Sequence, residues 1–518
     1  MNRFAVRCSL LAILLLLAAN TWAQQPPANH VTEASSKESV PPTPVAPIAT
    51  LGQRQLFGTL LVATKSDDAR KLLEKSIDQY ENYLLEMSVS TAHEAAAKDP
   101  HFALAFAVWS YATYRNQPAP DALKHAKALA PKATPDEQLL INWIVDVEEG
   151  NNLGAIGAMN DLLARFPNDK HVLYLTSEWL YSQQDYERAR KMMEKILQID
   201  PNFPPVYNML GYSYIETGDP DPAKAVSYLE HYAALEPHHP NPQDSLGEVL
   251  RHAGDDKGSL EHYAAALKII TNFYSSQIGV ADTRTLMGDY PGARIAYDKV
   301  FASATNSRDR FHVQFQKALI SFWEGQPEQG LKSLDSLLVQ ARRQKDPYAQ
   351  FEIGFGRAQL TTDSAAELEQ LRTLEASLQK PVIGMSEPDR NISLASVLRE
   401  EARIASASGN SDSAQEAIAK LERSAAITRD LIVENNYESA RGYALVAQGD
   451  LANASDELAT DPHSPLALQQ LALTQEKLGN AAAAESIRAR LKYQRAPTVE
   501  WYLTTHVTSG PAATTPAQ

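Results

Sequence analysis

The chain has 518 residues, 44 % of them hydrophobic; good helix formers dominate after residue 51, and long alternating strand-like runs are scarce. This length is too great for one compact core, which leaves several domains or one extended stack. The net charge is −15 with no basic stripe to offset it, which argues against nucleic acid and anionic lipid surfaces as partners.

Residues 1–23 have the features of an export signal. Arg3 and Arg7 give a positive start, residues 10–19 form an apolar run, and residues 21–23 give a small-x-small cleavage pattern. The apolar run is about half of the roughly 20 residues that a membrane-spanning helix needs, so we interpret the segment as a cleaved signal peptide rather than an anchor. We therefore expect an exported protein, periplasmic or extracellular, with no integral membrane span in the mature chain.

Both ends of the mature chain are predicted to be irregular. Residues 24–50 are rich in Pro, Ala and Ser and hold almost no large apolar side chains, so they cannot bury enough surface to offset their ordering entropy. We predict a disordered linker there. Residues 497–518 are predicted to form a frayed tail, with Trp501 and Tyr502 packing on the last helix.

A two-residue turn recurs along the chain, usually Gly followed by Asp or Asn. From residue 150 to residue 325 the steps between turns are 34, 34, 36, 34 and 37 residues. A period near 34 is the signature of stacked helical hairpins. The turns lie at Gly150-Asn151, Gln184-Asp185, Gly218-Asp219, Gly254-Asp255, Gly288-Asp289, Gly325-Gln326, Gly409-Asn410, Gly449-Asp450 and Gly479-Asn480.

The residue types in these turns have a physical reason. Glycine can adopt the left-handed conformation that ends a helix. The Asp or Asn beside it can accept hydrogen bonds from the free amides at the start of the next helix. Five positions after the first residue of each turn stands a small residue, as expected where two helices cross closely and a larger side chain would keep them apart. These small residues are Ala155, Ala189, Ala223, Ser259, Ala293, Gly330, Ala414, Ala454 and Ala484.

The pattern resembles the tetratricopeptide repeat, most clearly in residues 173–202 and 207–237. The resemblance covers roughly residues 66–495 and implies an all-α fold, an α-solenoid of about twelve stacked antiparallel helical hairpins. Residues 68–105 also resemble the N-terminal part of uncharacterised exported bacterial repeat proteins.

The repeat pattern weakens in one region and so suggests a division of the chain. The unit around Thr361 lacks the turn glycine, and Pro381 and Pro388 are expected to interrupt helices. We predict a hinge there. The predicted segments are a solenoid arm at 51–345, a degenerate repeat at 346–390 and C-terminal repeats at 391–496.

The resemblance implies that the first helix of each hairpin lines a concave groove, where a peptide or partner helix would lie. In register, the groove-facing set is Tyr174, Glu178, Tyr181, Asn208, Tyr212, Glu216, Asp244, Glu248, Arg251 and Asp282. Aromatic anchors with a charged rim are typical of binding surfaces. The alternative is that the tyrosines serve packing and the glutamates are simply solvated. Phe315, Phe322 and Trp323 form a second candidate anchor, or else the core of a less regular unit.

No set of residues predicts catalysis. His93-Glu94 begins like a zinc-protease helix, but Ala97 stands where the second histidine must be. His231, His238 and His239 lack a carboxylate or cysteine at a useful spacing for a metal. Neither a G-x-S-x-G elbow nor a phosphate-binding glycine loop is present.

The sequence therefore predicts a non-enzymatic scaffold or adaptor of the cell envelope that binds a protein or peptide partner in its groove. We expect no catalytic residues, no cofactor and no metal ligands. The one cysteine, Cys8, lies in the predicted leader, so the mature chain has no thiol nucleophile. The alternatives are an assembly factor that uses the convex or edge surfaces and, third, a hydrolase.

Overall fold

The computed structural model describes residues 54–113, 119–216, 220–462 and 464–506. The predicted signal peptide, the linker, the turn at Gly218-Asp219 and residues 507–518 lie outside them. The described chain is an all-α solenoid with one small β-hairpin. Its strands are β1 (Arg54–Leu56) and β2 (Leu60–Val62). Its α-helices, α1 to α25 in chain order, are Asp67–Glu81, Leu85–Lys98, Ala103–Thr113, Pro120–Leu129, Pro135–Glu149, Asn152–Arg165, Lys170–Ser182, Tyr186–Ile199, Pro204–Ser213, Pro222–Leu235, Pro240–Ala253, Asp256–Ile269, Tyr274–Leu286, Tyr290–Ser303, Ser307–Trp323, Pro327–Gln344, Pro347–Gln359, Ser364–Leu378, Glu387–Ala407, Ser411–Thr428, Leu431–Gln448, Leu451–Ala459, Pro465–Lys477, Ala481–Leu491 and Val499–His506.

Helices α1 to α24 pair in sequence as antiparallel hairpins, from α1 with α2 to α23 with α24. The described residues thus contain twelve hairpins, as the sequence predicts. Short 3-10 turns follow α4 and α24, at Ala130–Lys132 and Lys492–Gln494. Among the described helices, none has both the length and the apolar character needed to cross a bilayer.

The predicted turn chemistry is confirmed in most of the described hairpins; at Gln326 and Asn480 the side chain makes no capping hydrogen bond. Gly254 ends α11 with a φ of +86°, and the Asp255 side chain accepts a hydrogen bond from the Gly258 amide at the start of α12. Gln184 adopts the same left-handed conformation, with a φ of +66°, although it has a side chain. One dipeptide therefore ends the first helix and caps the second.

Small residues bring the two helices of a hairpin close together. At Gly247 an added Cβ would lie 2.8 Å from the Tyr263 ring, so a larger residue would force the helices apart. Ala223 was predicted to hold this kind of position but is exposed; Ala225, which is fully buried, takes its place. The cause is that Asp221, rather than the predicted Asp219, caps α10, so the helix begins two residues later than the repeat pattern predicts.

The β-hairpin is not predicted by the sequence. The strands pair antiparallel in the register Leu56 with Leu60 and Arg54 with Val62. The two central residues of the turn, Phe57 and Gly58, both have positive φ, as a type I′ turn requires. Leu56, Leu60 and Val62 are each at most 3 % exposed, so the hairpin belongs to the hydrophobic core of the first repeats.

Successive turns of the superhelix touch each other. The Asn152 side-chain amide, at the start of α6, donates a 3.0 Å hydrogen bond to the backbone oxygen of Thr428, which lies 276 residues further along the chain. Pro388 packs beside Gly150 in the same region, and α5 contacts α19. The coil is therefore wound tightly enough for repeats of the predicted N-terminal arm to meet the C-terminal repeats.

The segment 346–390, predicted as a degenerate repeat, holds the hairpin of α17 and α18. Neither proline breaks a helix interior: Pro388 lies in the first turn of α19, where no backbone donor is needed, and Pro381 lies in the loop before it. The hinge at this segment stays a prediction.

Candidate partner-binding groove

The ten residues predicted to line the groove lie along four successive first helices, α7, α9, α11 and α13, with Glu216 just beyond the end of α9. Seven of them are at most 6 % exposed. Glu178, Tyr181 and Glu216 are half-buried. The inner helices thus bring the predicted set together, but most of its members bond to one another, and their contact with a partner stays a prediction.

Tyrosine–carboxylate pairs link one repeat to the next along this surface. The Tyr212 hydroxyl donates a 2.8 Å hydrogen bond to Glu248, 36 residues further on. Tyr181 makes the equivalent bond to Glu216 across 35 residues. Because the bonded residues are one repeat apart, each bond joins one repeat to the next. The tyrosines therefore do more than pack, and the two glutamates are not simply solvated.

A buried charge cluster lies at the centre of the set. Arg251 forms ion pairs of 3.0 Å with both Glu248 and Asp282, and all three side chains are at most 5 % exposed. Tyr297 donates a further hydrogen bond to Asp282. Burial opposes the charge of Arg251, but Tyr263, Asp282 and Glu248 together raise its pKa above the ordinary value. Removing the guanidinium would leave two carboxylates unpaired.

Two carboxyl groups of the set titrate near neutral pH. Burial raises the pKa of Asp244 to about 8, although Ser276 donates a hydrogen bond to it. Burial likewise raises the pKa of Glu216 to about 7, against the lowering effect of the Tyr181 hydrogen bond. The negative charge of the inner surface therefore falls as the pH drops through this range.

The N-terminal end of the inner surface holds the β-hairpin. The backbone amides of Leu61 and Ala63 donate to the carboxylates of Asp136 and Glu137, at the start of α5, over 3.0 and 2.9 Å. The Phe57 ring stacks on His171 at 3.7 Å. The solenoid thus binds an extended segment of its own chain through backbone groups.

A cavity of about 60 Å³ lies beneath this hairpin. Its lining is almost entirely apolar, and at its edge Glu81 forms a 2.8 Å ion pair with His171. Burial opposes a charge on His171, but the Glu81 carboxylate outweighs it and raises the pKa of that imidazole. The hairpin therefore covers an apolar space with the Glu81–His171 pair at its edge.

The aromatic trio Phe315, Phe322 and Trp323 meets another segment of the same chain. Phe315 and Phe322 are 1 % and 3 % exposed, so they belong to the core, whereas Trp323 is half-buried. The Tyr502 ring packs edge-on against Trp323 at 5.2 Å and Phe322 at 6.0 Å. The predicted tail is thus helical over Val499–His506, and Tyr502 packs on α15 rather than on α24.

Two of the three histidines considered as metal ligands make other contacts. His239 caps α11 by accepting the Asn241 amide, and His231 packs on Tyr207 at 4.2 Å. Among the described residues, no group of three His, Cys, Asp or Glu side chains has the geometry to hold a metal.

Comparisons with known proteins identify the repeat. The model of the tetratricopeptide repeat family matches residues 180–226. No curated protein matches the chain. Solved structures with a similar fold include a tetratricopeptide repeat protein from Parabacteroides merdae, with a TM-score of 0.34 and 14 % identity over 52 % of this chain and 93 % of the other. Yeast Tom70 has a TM-score of 0.40 and 14 % identity over 82 % of this chain and 90 % of its own. Pseudomonas aeruginosa pilF has a TM-score of 0.27 and 15 % identity over 48 % of this chain and 97 % of its own.

Proposed function

Because the chain is a tetratricopeptide repeat protein, we propose that it is a non-enzymatic scaffold or adaptor that binds a partner protein or peptide on its inner surface. The observation that carries the proposal is that this surface holds an extended segment of its own chain through backbone amides. The carboxylates of Asp136 and Glu137 accept hydrogen bonds from the backbone amides of the β-hairpin. Backbone recognition of this kind does not depend on a particular side chain and suits a peptide partner.

The half-buried residues Glu178, Tyr181 and Glu216 are the proposed first contacts in the groove. Tyr181 and Glu216 bond to each other, and Glu178 accepts a hydrogen bond from Tyr80. All three are more exposed than the neighbouring residues Tyr212, Glu248 and Arg251, which are buried. Carboxylates on an acidic chain favour partner groups that donate hydrogen bonds or carry positive charge. The proposed mode of binding is multivalent, with shallow contacts from several repeats added along the groove and no cofactor.

We place the function in the cell envelope, on the basis of the leader-like residues 1–23 alone. The expected mature chain begins after Ala23. Fractionation of a bacterium that expresses the full chain, with N-terminal sequencing of the product, tests this. A product that keeps Met1 and stays in the cytoplasmic fraction would remove the envelope from the proposal.

A pull-down after cross-linking tests the groove. The bait is the chain itself in envelope extract, beside a groove variant with Glu178→Gln, Tyr181→Phe and Glu216→Gln. These changes keep side-chain volume and leave the buried Arg251 cluster intact. A matched control carries Glu194→Gln and Glu230→Gln, which lie exposed on the second helices α8 and α10. We expect a partner that the groove variant loses and the control keeps.

The assembly-factor alternative is supported by a different observation. Leu153 and Ile427 are 65 % and 81 % exposed, and they flank the hydrogen bond between Asn152 and Thr428 where two superhelical turns meet. Exposed apolar side chains at one edge suit contact with a larger complex. A partner kept by the groove variant but lost on Leu153→Ser with Ile427→Ser would favour this role. A bound-metal assay that came back positive would instead reopen the hydrolase hypothesis.

A further inference from the structure

The C-terminal segment, residues 492–506, lies against repeats that are distant from it in sequence. Arg495 forms a two-pronged ion pair with Asp256 at the start of α12 and donates a 3.2 Å hydrogen bond to the Arg251 backbone oxygen. The His252 ring donates to the Tyr493 backbone oxygen at 3.0 Å. The segment thus leaves α24, is held against α11 and α12, and then continues as α25.

Polar side chains of two helices, α19 and α23, hold α25. Glu500 accepts hydrogen bonds from Arg399 on α19 and from Ser464, the cap of α23, the latter at 2.9 Å. Gln469 donates a 3.0 Å hydrogen bond to the Thr504 backbone oxygen. These anchors recognise one carboxylate and one free carbonyl of a short helix, in a fixed orientation.

One apolar side chain enters the core. Val499 is 4 % exposed and packs with Phe315. A Cβ at Gly356 would lie 3.3 Å from Val499 and 2.6 Å from Phe315, so the bare backbone at Gly356 is what admits the valine. Tyr502 adds its edge-on contacts with Phe322 and Trp323. The inner faces of α15 and α17 therefore form an apolar slot flanked by the polar anchors.

The contact has the character of a bound peptide rather than of a core helix. An isolated helix of eight residues is unstable in water, so α25 owes its form to the surface beneath it. Val499 is its one buried residue. A cavity of about 20 Å³, lined in part by Glu352 and Gln359, remains under its first turn. The first turn of α25 therefore leaves part of the space beneath it unfilled.

We propose that the surface formed by α15, α17, α19 and α23, together with the adjoining ends of α11 and α12, is a binding site for a short helical peptide, and that residues 492–506 are its resident occupant. The peptide that fits has an arginine four residues before a helix that begins with a branched apolar residue and a carboxylate, as Arg495, Val499 and Glu500 do. A partner segment of that chemistry has to displace α25. The inference rests on the proposed binding function, since it names the class of peptide and how access to its site is controlled.

The test uses the full chain and a labelled synthetic peptide of residues 490–506. In the wild type, the tethered segment competes at a high effective concentration and excludes the peptide. Arg495→Glu with Val499→Ala weakens the occupant and leaves the site intact. Lys492→Glu, at an exposed position, makes the same change in charge as Arg495→Glu and is the matched control. We call the chain with Arg495→Glu and Val499→Ala the opened variant. Fluorescence anisotropy should show at least about tenfold tighter peptide binding to it than to the wild type or the control, because residues 492–506 then occupy the site for a smaller fraction of the time.

Equal binding to all three chains, or binding to none, would overturn the proposal. A second measurement needs no substitution: backbone amides of α25 should exchange hydrogen faster than those of α15 and α19, because the segment leaves its site without global unfolding. Exchange in α25 as slow as in those helices would also overturn it. If the peptide binds the opened variant but the pull-down finds no partner, the proposed scaffold function is contradicted and the peptide site is supported. If the pull-down finds a partner but the peptide does not bind the opened variant, only this inference is contradicted.

Discussion

The two ends of the described chain both lie against the solenoid's inner surface, but in different ways. The β-hairpin buries Leu56, Leu60 and Val62 and completes the core of the first repeats. Helix α25 buries Val499 and depends on polar anchors at its rim. Between them lies the cluster of Arg251. The comparison teaches that the two segments differ in how much apolar surface they bury, which is why we propose the hairpin as permanent structure and α25 as the replaceable segment.

The largest effect is expected at the centre. Arg251→Ala leaves Glu248 and Asp282 buried without a cation, and this should lower the free energy of unfolding by about 3–5 kcal/mol. Urea denaturation followed by circular dichroism measures it. The exposed Arg188→Ala, in α8, is the control. A loss below about 1 kcal/mol would mean that the cluster is hydrated and contributes as a surface pair does.

The hairpin should come next. Leu60→Ala removes a fully packed side chain and should destabilise the chain by about 2–4 kcal/mol through lost burial and the cavity left behind. Leu503→Ala, in α25, should change stability by less than about 1 kcal/mol, because Leu503 is only half-buried. Thermal unfolding of both variants measures the two losses of stability side by side. Equal losses would contradict the distinction between structural and replaceable segments.

Asp244 should make stability depend on pH. Its pKa is about 8 when folded, so the folded chain keeps a proton that the unfolded chain releases above about pH 4. The stability it contributes is full below the unfolded pKa and is lost as the pH rises towards the folded value. Asp244→Asn cannot titrate, and its unfolding free energy should fall less between about pH 5 and pH 8, by about 4 kcal/mol for three pH units at about 1.4 kcal/mol per unit. Asp161→Asn, exposed on α6, should leave the slope of the wild type unchanged.

The smallest effect concerns the predicted hinge at 346–390. Amides at residues 380–390, in the loop before α19 and its first turn, should exchange faster than those within α16 and α20. The contact between Pro388 and Gly150 opposes this, because it ties the segment to the first turn of the superhelix. Exchange as slow as in the flanking helices would rule the hinge out.

The sequence predicts the hairpin repeat well because its causes are local. Gly254 with Asp255 and the small residue at Gly247 act within a few residues or across one hairpin. The burial of Tyr212 and Arg251 is different in origin. A helical register indicates which side chains face inward, but the space left inside depends on the rotation accumulated over many repeats.

The β-hairpin and the C-terminal helix escape prediction for related reasons. Strands of three residues have almost no periodicity, and Phe57 at positive φ replaces the Asn that usually signals such a turn. The contact of Tyr502 with α15 joins residues about 180 positions apart, for which the sequence of α25 gives no sign. A useful signal was present in the trio Phe315, Phe322 and Trp323, whose excess of aromatic surface suggested an anchor; its ligand is the chain itself.

The contacts between superhelical turns also have a mechanical consequence. Each hairpin packs mainly on its neighbours, so the coil as a whole is elastic, while the bond of Asn152 to Thr428 and the ion pair of Arg495 with Asp256 fasten it in a shortened state. We expect tension along the coil to break these few contacts before any hairpin unfolds, because each of them is a single polar contact whereas the hairpins are held by buried apolar cores. Mechanical force on the chain would then change how far the inner surface is open.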